Sequence, residues 1–196
     1  MNRPVVPLLL PAAVLAVASC RVYQLPSASM APTILAGDYV IVIGSHNVPK
    51  RKEIVVYRLK GQPYIKRVVG LPGDTLAMSD GVLVLNGDSV AEPYAVHFGE
   101  EAVESPDFSW QRHFLAPSAN RFRYHPSLTS WGPLVVPAGN YFLLGDNRAE
   151  SADSRYTGFI DAASIFARPK LIYFSKDRHT GDIRWNRIGR AIRDTT

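Results

Sequence analysis

Cysteine is almost absent from this sequence, which contains only Cys20. A lone thiol excludes an intramolecular disulfide framework and a zinc site built from several cysteines. Long hydrophobic runs are equally scarce, because only the first 20 residues contain one, and this excludes a membrane protein with many spans. Hydrophobic residues still make up 46% of the 196 residues and aromatic residues 10%. That content is enough for a packed core, so the chain is not wholly disordered.

The one hydrophobic run lies between Arg3 and Arg21 and contains 17 uncharged residues. As a helix it would span about 26 Å, against about 30 Å for the hydrocarbon core of a bilayer. We predict a membrane anchor over residues 1–20. Two alternatives stay open: a cleaved secretory signal, and a lipoprotein signal, because residues 17–20 (VASC) resemble a lipobox. All three place the rest of the chain outside the cytoplasm.

The net charge of +5 is concentrated at the carboxyl end. Residues 168–196 hold eight basic and three acidic side chains, so they account for all of it. No recognisable DNA-binding motif accompanies these charges, and we predict no nucleic-acid partner. Two interpretations of the basic segment remain, a solvated face or a surface that contacts anionic lipid headgroups beside Trp185 and Ile188.

Runs rich in β-branched and aromatic residues, bounded by glycine, proline or asparagine, predict a mainly β chain. No long segment with helical periodicity follows residue 21. The predicted strands are residues 38–43, 53–59, 64–69, 82–85, 141–144, 170–174 and 183–187. Residues 75–138 differ from their surroundings, since seven acidic and three basic side chains give them a net charge of −4. We predict an inserted subdomain there.

Three short segments carry the residues suited to chemistry. The first, residues 26–33 (PSASMAPT), holds two serines between prolines, and the third, residues 145–155 (GDNRAESADSR), is a polar turn with complementary charges. The second, residues 64–74 (YIKRVVGLPGD), places Lys66 and Arg67 on opposite faces of a predicted strand. If one face of the sheet is buried, one of the two faces inward, and burial would lower the pKa of a lysine. Each segment alone is typical of loops and surfaces, but their ordered combination is specific.

Together, S-x-S-M-x-P-T, Y-I-K-R-V-V-G-x-P-G-D and G-D-N-R-x-x-S-x-D-S-R resemble the type I signal peptidases, membrane-bound Ser–Lys endopeptidases that remove signal peptides from exported proteins. The resemblance implies a β-sheet or β-barrel catalytic core over residues 21–74 and 139–196. It further implies a β-rich subdomain inserted at residues 75–138 and one amino-terminal membrane helix over residues 1–20.

The resemblance also assigns roles to individual residues. Ser29 matches the nucleophile and Lys66 the general base. Ser27 matches the hydroxyl that joins the backbone N–H of Ser29 in the oxyanion hole, and Ser151 the hydroxyl that orients the lysine. A salt bridge that supports the site falls on Asp153 and Arg155. The residues that match the lining of the small substrate pockets are Leu25, Met30, Ile34, Tyr64 and Ile65, with Tyr23 at their edge.

The resemblance implies cleavage after small residues at −1 and −3 without a metal or an organic cofactor. The implied partners are the signal peptides of exported preproteins and the lipid bilayer, with the secretion translocon as a further candidate. The implied location is the bacterial cytoplasmic (inner) membrane, crossed once, with the catalytic domain on the extracytoplasmic side.

The sequence departs from the family pattern in two places. Ala149 and Glu150 replace a common Asp-Asn pair, and Ala28 replaces the usual glycine between the serines. A specialised relative, such as a peptidase that matures conjugative pilin, therefore stays open. Cytoplasmic self-cleaving repressors fit less well, because this chain has a hydrophobic amino terminus and no helix-turn-helix. A non-catalytic, surface-anchored β domain that binds peptides is disfavoured by the presence of both Ser29 and Lys66.

Overall fold

The structure, a computed structural model, describes residues 20–97 and 105–194. Most of the predicted membrane anchor lies outside these residues, and Cys20 already belongs to the first strand. Within the described ranges, no helix combines the length and hydrophobicity needed to cross a bilayer.

Strands and short helical turns make up the described chain. The strands are β1 (Cys20–Gln24), β2 (Asp38–Gly44), β3 (Ile54–Leu59), β4 (Gln62–Gly70), β5 (Thr75–Ser79), β6 (Val82–Leu85), β7 (Asp88–Val90), β8 (Trp131–Val135), β9 (Asn140–Leu144), β10 (Ile160–Asp161) and β11 (Ile165–Ser175). The 3-10 helices are Pro106–Phe114, Arg121–Arg123, Ala162–Ser164 and Trp185–Arg187, and a single α-helical turn covers Ser154–Thr157. The mainly β prediction is confirmed.

The larger sheet contains seven strands in the order β1-β2-β11-β3-β4-β9-β10, and the pairs between neighbours are antiparallel. The two outer strands, β1 and β10, each pair with one neighbour, so this sheet is open over the described residues. The barrel included in the prediction is therefore wrong for this part of the chain. Its closure would need two long outer strands, but β10 has only two residues.

The smaller sheet has the order β7-β6-β5-β8, and its strands fall within residues 75–138. Leu76 and Trp131 from this sheet pack in one hydrophobic cluster with Phe142 of β9. The two sheets therefore share a core. The boundaries of the inserted subdomain stay a prediction.

One predicted strand is wrong. Residues 183–187 supply only an isolated bridge between Ile183 and Lys176, followed by the Trp185–Arg187 turn. The alternation of apolar and polar residues that suggested a strand does not correspond to a buried face, because Trp185 is 73% exposed while the side chain of Arg187 is turned inward to Asp38. A buried ion pair, rather than sheet pairing, determines the conformation here.

Three parts of the larger sheet position the candidate site. The serine loop (residues 25–37) connects β1 to β2, and the aspartate loop (residues 145–153) follows β9. Strand β4 carries Lys66 and lies between β3 and β9. Because β4 and β9 are paired, Lys66 lies on the strand next to the one that leads into the aspartate loop.

Candidate active site

A serine hydroxyl and a lysine amine meet between the serine loop and β4. The Nζ atom of Lys66 donates a hydrogen bond to the Oγ atom of Ser29 at 2.7 Å. Both residues are nearly inaccessible, with 7% of Ser29 and 4% of Lys66 exposed. A hydroxyl in direct contact with a buried amine has the geometry of a nucleophile and its base.

The serine loop is held at both ends by backbone hydrogen bonds. Its first residue, Leu25, donates its N–H to the carbonyl of Asp38 at 2.9 Å, and its last residue, Gly37, donates to the carbonyl of Leu25 at 2.9 Å. The carbonyl of Ser29 accepts from Asn147 of the aspartate loop at 3.2 Å. These contacts fix the backbone on which the Ser29 hydroxyl depends.

The Ser27 side chain is exposed and adjoins the nucleophile candidate. Its hydroxyl donates to Ser29 Oγ at 3.2 Å. It therefore lies next to the reacting oxygen, where a hydroxyl donor could reach a charge that develops on a bound carbonyl. Its assigned role in the oxyanion hole stays a prediction.

The environment of Lys66 increases the fraction of neutral amine above that of an exposed lysine. Burial lowers its pKa to about 8, while the nearby charges of Asp153 and Asp146 raise it and that of Arg155 lowers it. At a pKa of about 8, about a tenth of the side chains are uncharged at pH 7 and can accept a proton. Desolvation is thus the main physical reason why part of the Lys66 population is neutral and able to accept a proton at neutral pH.

Both faces of β4 are buried at this point, so Lys66 and Arg67 both point away from solvent. Arg67, directed away from Lys66, is fully buried. Its guanidinium makes two hydrogen bonds of 2.7 Å with the carboxylate of Asp146, and the same carboxylate accepts from Thr33 at 2.6 Å. The second face of β4 thus anchors both loops of the site.

Asp153 and Arg155 form the predicted ion pair, with a distance of 2.9 Å between Oδ1 and Nε. Both side chains are fully buried. Burial alone would raise the pKa of Asp153, but the charge and hydrogen bonds of Arg155, together with the N–H of Gly145, lower it below its usual value. The carboxylate is therefore ionised at neutral pH and closes the aspartate loop by accepting from Gly145 at 3.0 Å.

Ser151 is buried in the same loop, but the structure does not join it to Lys66. Its Oγ atom makes no hydrogen bond to Lys66 but lies beside the Asp153 carboxylate, where it helps to lower the pKa of that carboxyl. The hydroxyl packs tightly against Gly145, where an added Cβ would overlap the Ser151 side chain and the Ser29 carbonyl. Its assigned role in orienting the lysine stays a prediction, and what the structure shows is close packing.

A groove of about 550 Å³ opens onto the Ser29–Lys66 pair. Of the predicted pocket residues, Leu25, Tyr64 and Ile65 line it, and so does Tyr23. Besides the serines and the lysine, the remaining contributors, which the sequence did not assign to the groove, are Gln24, Pro26, Val56, Gln62, Pro63, Glu150 and Ala152. Most of them are next to predicted pocket residues in the sequence. The alternating side-chain directions along a strand could therefore have indicated them.

Met30 and Ile34 do not line this groove. Both are fully buried in the hydrophobic cluster that includes Val40 and Val42 of β2. Their assigned place in the lining of the substrate pockets stays a prediction, and what the structure shows is that their side chains pack in the core. Their packing against β2 supports the serine loop on its core side.

A second cavity, of about 660 Å³, lies elsewhere, between the serine loop and the carboxyl-terminal segment. Its lining includes Thr33, Leu35, Ile172 and Arg187 but neither Ser29 nor Lys66. Although it is larger, it lacks a nucleophile and base, so the groove is the candidate substrate site. Over the ranges that the structure describes, no group of three or more His, Cys, Asp or Glu side chains is placed to hold a metal ion.

Comparisons with known proteins identify the family of this chain. The model of the family described as "Signal peptidase, peptidase S26" matches residues 2–174. A signal peptidase I of Pseudomonas aeruginosa is 34% identical over 160 residues, which cover 68% of this chain and 54% of the relative. One from Bacillus licheniformis is 34% identical over 158 residues, covering 78% of this chain and 75% of the relative.

A crystal structure of a signal peptidase I from Enterococcus faecalis V583 is 34% identical to this chain. The superposition covers 62% of this chain and 96% of that one, with a TM-score of 0.41. The chain spans about half the length of the Pseudomonas relatives, at 54%. Because the family model matches most of the sequence, this chain belongs to the signal peptidase family, peptidase S26.

Proposed function

We propose that this protein is a serine endopeptidase that removes amino-terminal signal peptides from exported preproteins, with a preference for small residues at −1 and −3. The observation that carries the proposal is the 2.7 Å hydrogen bond between Lys66 Nζ and Ser29 Oγ at the end of a groove. Membership of the signal peptidase family supports the substrate class.

In the proposed mechanism, neutral Lys66 takes the proton of the Ser29 hydroxyl as its oxygen attacks the scissile carbonyl. The Ser29 N–H and the Ser27 hydroxyl stabilise the resulting oxyanion. Lys66 then gives the proton to the leaving amine, which departs as the new amino terminus of the mature protein. A water molecule, activated by the same lysine, hydrolyses the acyl-enzyme and regenerates Ser29.

The groove supports an extended peptide as substrate. Its walls come from β1 and the start of the serine loop on one side and from β4 on the other. β1 is an outer strand, and residues 62–66 of β4 pair with β3 but not with β9. A peptide chain between them can therefore make backbone hydrogen bonds, while alternate side chains enter the pockets. The groove is lined by the buried Leu25 and the partly buried Ile65, and these apolar walls support the proposed preference for small side chains.

The location and remaining partners are also proposals. The 17 uncharged residues between Arg3 and Arg21 would anchor the chain in the bacterial cytoplasmic membrane, with the catalytic part on the extracytoplasmic side. There it would meet preproteins at the membrane surface, next to the lipid bilayer and the secretion translocon.

Cleavage of a preprotein by the full-length protein in detergent tests the function. We expect cleavage after an Ala-x-Ala site, and we expect Ser29→Ala and Lys66→Ala to reduce kcat by at least about 1,000-fold, because the nucleophile and its base act as a unit. Ser89→Ala and Lys50→Ala, which replace exposed residues of the same types, should leave the rate unchanged.

Two results would contradict the proposal. One is near-normal kcat in Lys66→Ala, and the other is no cleavage of any preprotein by folded wild-type protein. Amino-terminal sequencing of the products from a mixture of preproteins would further separate a general peptidase from a specialised one, because a specialised enzyme would process a single member of the mixture.

A further inference from the structure

Residues 92–96, which we call the strap, lie along the aspartate loop on the side opposite the serine loop. The N–H of Val96 donates to the carbonyl of Asp146 at 2.8 Å, and the N–H of Arg148 donates to the carbonyl of Val96 at 2.9 Å. Val96 and Asn147 form a parallel bridge. The strap thus pairs with the loop through a single β-bridge, although it belongs to the acidic stretch predicted as an insertion.

The opposite side of the aspartate loop holds the nucleophile. Asn147 donates its N–H to the carbonyl of Ser29 at 3.2 Å. Asn147 therefore lies between Ser29 on one side and Val96 on the other. A shift of the strap would move the segment that fixes the Ser29 backbone.

Buried charges reinforce this backbone pairing. Glu92 makes two hydrogen bonds with Arg148, at 2.6 and 2.7 Å, and their side chains are 5% and 1% exposed. The Nε atom of Arg148 also donates to the carbonyl of Gly145 at 3.0 Å. A two-point contact between a carboxylate and a guanidinium fixes orientation as well as distance, so Glu92 holds the start of the aspartate loop.

Tyr94 extends the strap to the second face of β4. Its ring lies under the guanidinium of Arg67, with 4.0 Å from the Cζ atom to the ring centroid. Its hydroxyl donates to Glu92 at 2.9 Å. Since Arg67 pairs with Asp146, the ring holds in place the ion pair behind Lys66.

We propose that the strap positions the reacting pair, with Glu92 and Tyr94 as positioning residues that act through Arg148 and Arg67. This inference rests on the proposed function, because it concerns the same Ser29 and Lys66. None of the strap residues lines the substrate groove, so the strap acts on the geometry and solvation of the pair and leaves peptide binding unchanged.

The strap should help to keep the pKa of Lys66 low. The charged groups that act on this amine are Asp153 and Asp146, which raise its pKa, and Arg155, which lowers it, and Glu150 lines the groove that it faces. Loss of the Tyr94 ring would loosen Arg67 from Asp146 and admit water behind β4. The pKa of Lys66 would then rise for two reasons: its amine would be less buried, and the charge of Asp146 would be less neutralised by Arg67.

Replacement of Tyr94 tests the inference. In Tyr94→Leu we expect the midpoint of the pH–kcat profile to rise by about 0.5–1 unit, so that kcat at pH 7 falls about 3- to 10-fold. The rate should recover near pH 10, and KM should stay unchanged. Tyr94→Phe keeps the ring under Arg67 and should restore the wild-type midpoint.

A direct titration separates this inference from the proposed function. The Lys66 signal in the NMR spectrum of lysine-labelled protein, assigned by its loss in Lys66→Arg, reports the pKa without any substrate. A higher pKa of Lys66 in Tyr94→Leu than in Tyr94→Phe supports the positioning role of the strap even if no preprotein is cleaved. An unchanged pKa in Tyr94→Leu, with only a lower Tm, would overturn it and leave a purely structural role.

Glu92 offers a second test with a matched control. Glu92→Gln removes the charge that orients Arg148, and we expect kcat to fall about tenfold at constant KM, by displacement of the loop. Asp88→Asn removes the same charge from an exposed position a few residues away and should leave kcat unchanged. Equal effects of the two variants, or none in either, would contradict a positioning role for Glu92.

Discussion

At the scale of single residues, the chemistry depends on an amine that is neutral often enough to act as a base. An exposed lysine has a pKa near 10.4 and is almost fully charged at pH 7. Lys66 is 4% exposed, and burial brings its pKa to about 8 in spite of two nearby carboxylates. The depth of the site below the surface is therefore part of its mechanism.

The pH dependence of cleavage follows from this value. Because only neutral Lys66 can take the Ser29 proton, we expect kcat to rise with pH, by about 50-fold between pH 6 and pH 8, and to level off above pH 9. Lys66→Arg keeps a positive charge that cannot be lost, so it should be inactive over the whole range. A flat wild-type profile from pH 6 to 9, or activity in Lys66→Arg, would contradict this assignment.

At the scale of elements, the serine loop and the aspartate loop meet with no space between them. Gly145 lies at the contact, where an added Cβ would overlap the Ser29 carbonyl and the side chain of Ser151. Only a glycine permits the two loops to approach this closely. The distance between Ser29 and Lys66 thus depends on a residue that takes no part in the reaction.

We expect Gly145→Ala to force the loops apart and to lower kcat by about 100-fold, because small displacements of reacting groups are costly. Gly70→Ala is a matched control, since its added Cβ would overlap Leu76 and Phe142 in the core, away from the groove. Both variants should lower Tm, measured by calorimetry. Equal kcat values for the two folded variants would show that the contact at Gly145 is not coupled to catalysis.

The sequence predicts local features, such as strands, better than contacts between residues that are far apart in the chain. Short β-branched runs predicted strands such as β2 and β4, because side-chain alternation is a local property. The motif resemblance identified Ser29 and Lys66, which are in contact across 37 positions. The strap escaped prediction because Glu92 and Arg148 are 56 residues apart, and a charged residue in an acidic stretch looks like solvated surface.

At the scale of the whole molecule, the carboxyl-terminal segment folds back onto the serine loop. Arg187 donates to both carboxylate oxygens of Asp38 and, at 3.1 Å, to the carbonyl of Thr33. Ser175 of β11 donates to the same carboxylate at 2.5 Å. Most basic side chains of residues 168–196 are exposed, but Arg168 and Arg187 are buried, and Arg187 ties the carboxyl-terminal segment to the serine loop and the start of β2.

Arg187→Gln tests this tie through its dependence on pH. Burial raises the pKa of Asp38, but the hydrogen bonds from Arg187, Ser175 and Leu35 bring it below its usual value. In the wild type its contribution to stability is present above the unfolded pKa of about 3.9 and is lost as pH falls through the lower folded value. Without Arg187 the carboxylate is buried unpaired, which costs about 3–5 kcal/mol at pH 7, or about 10 °C in Tm.

The loss in Arg187→Gln should shrink as the pH is lowered, because burial then raises the pKa of Asp38 and protonation removes the unpaired charge. Calorimetry at several pH values should show the Tm difference from wild type narrowing between pH 7 and pH 5. In Asp38→Asn combined with Arg187→Gln, neither charge remains, so the loss should be smaller at pH 7 and independent of pH. A Tm difference that stays constant with pH in the single variant would mean that Asp38 remains ionised without its partner, and the buried pair would then not be what secures the carboxyl-terminal segment.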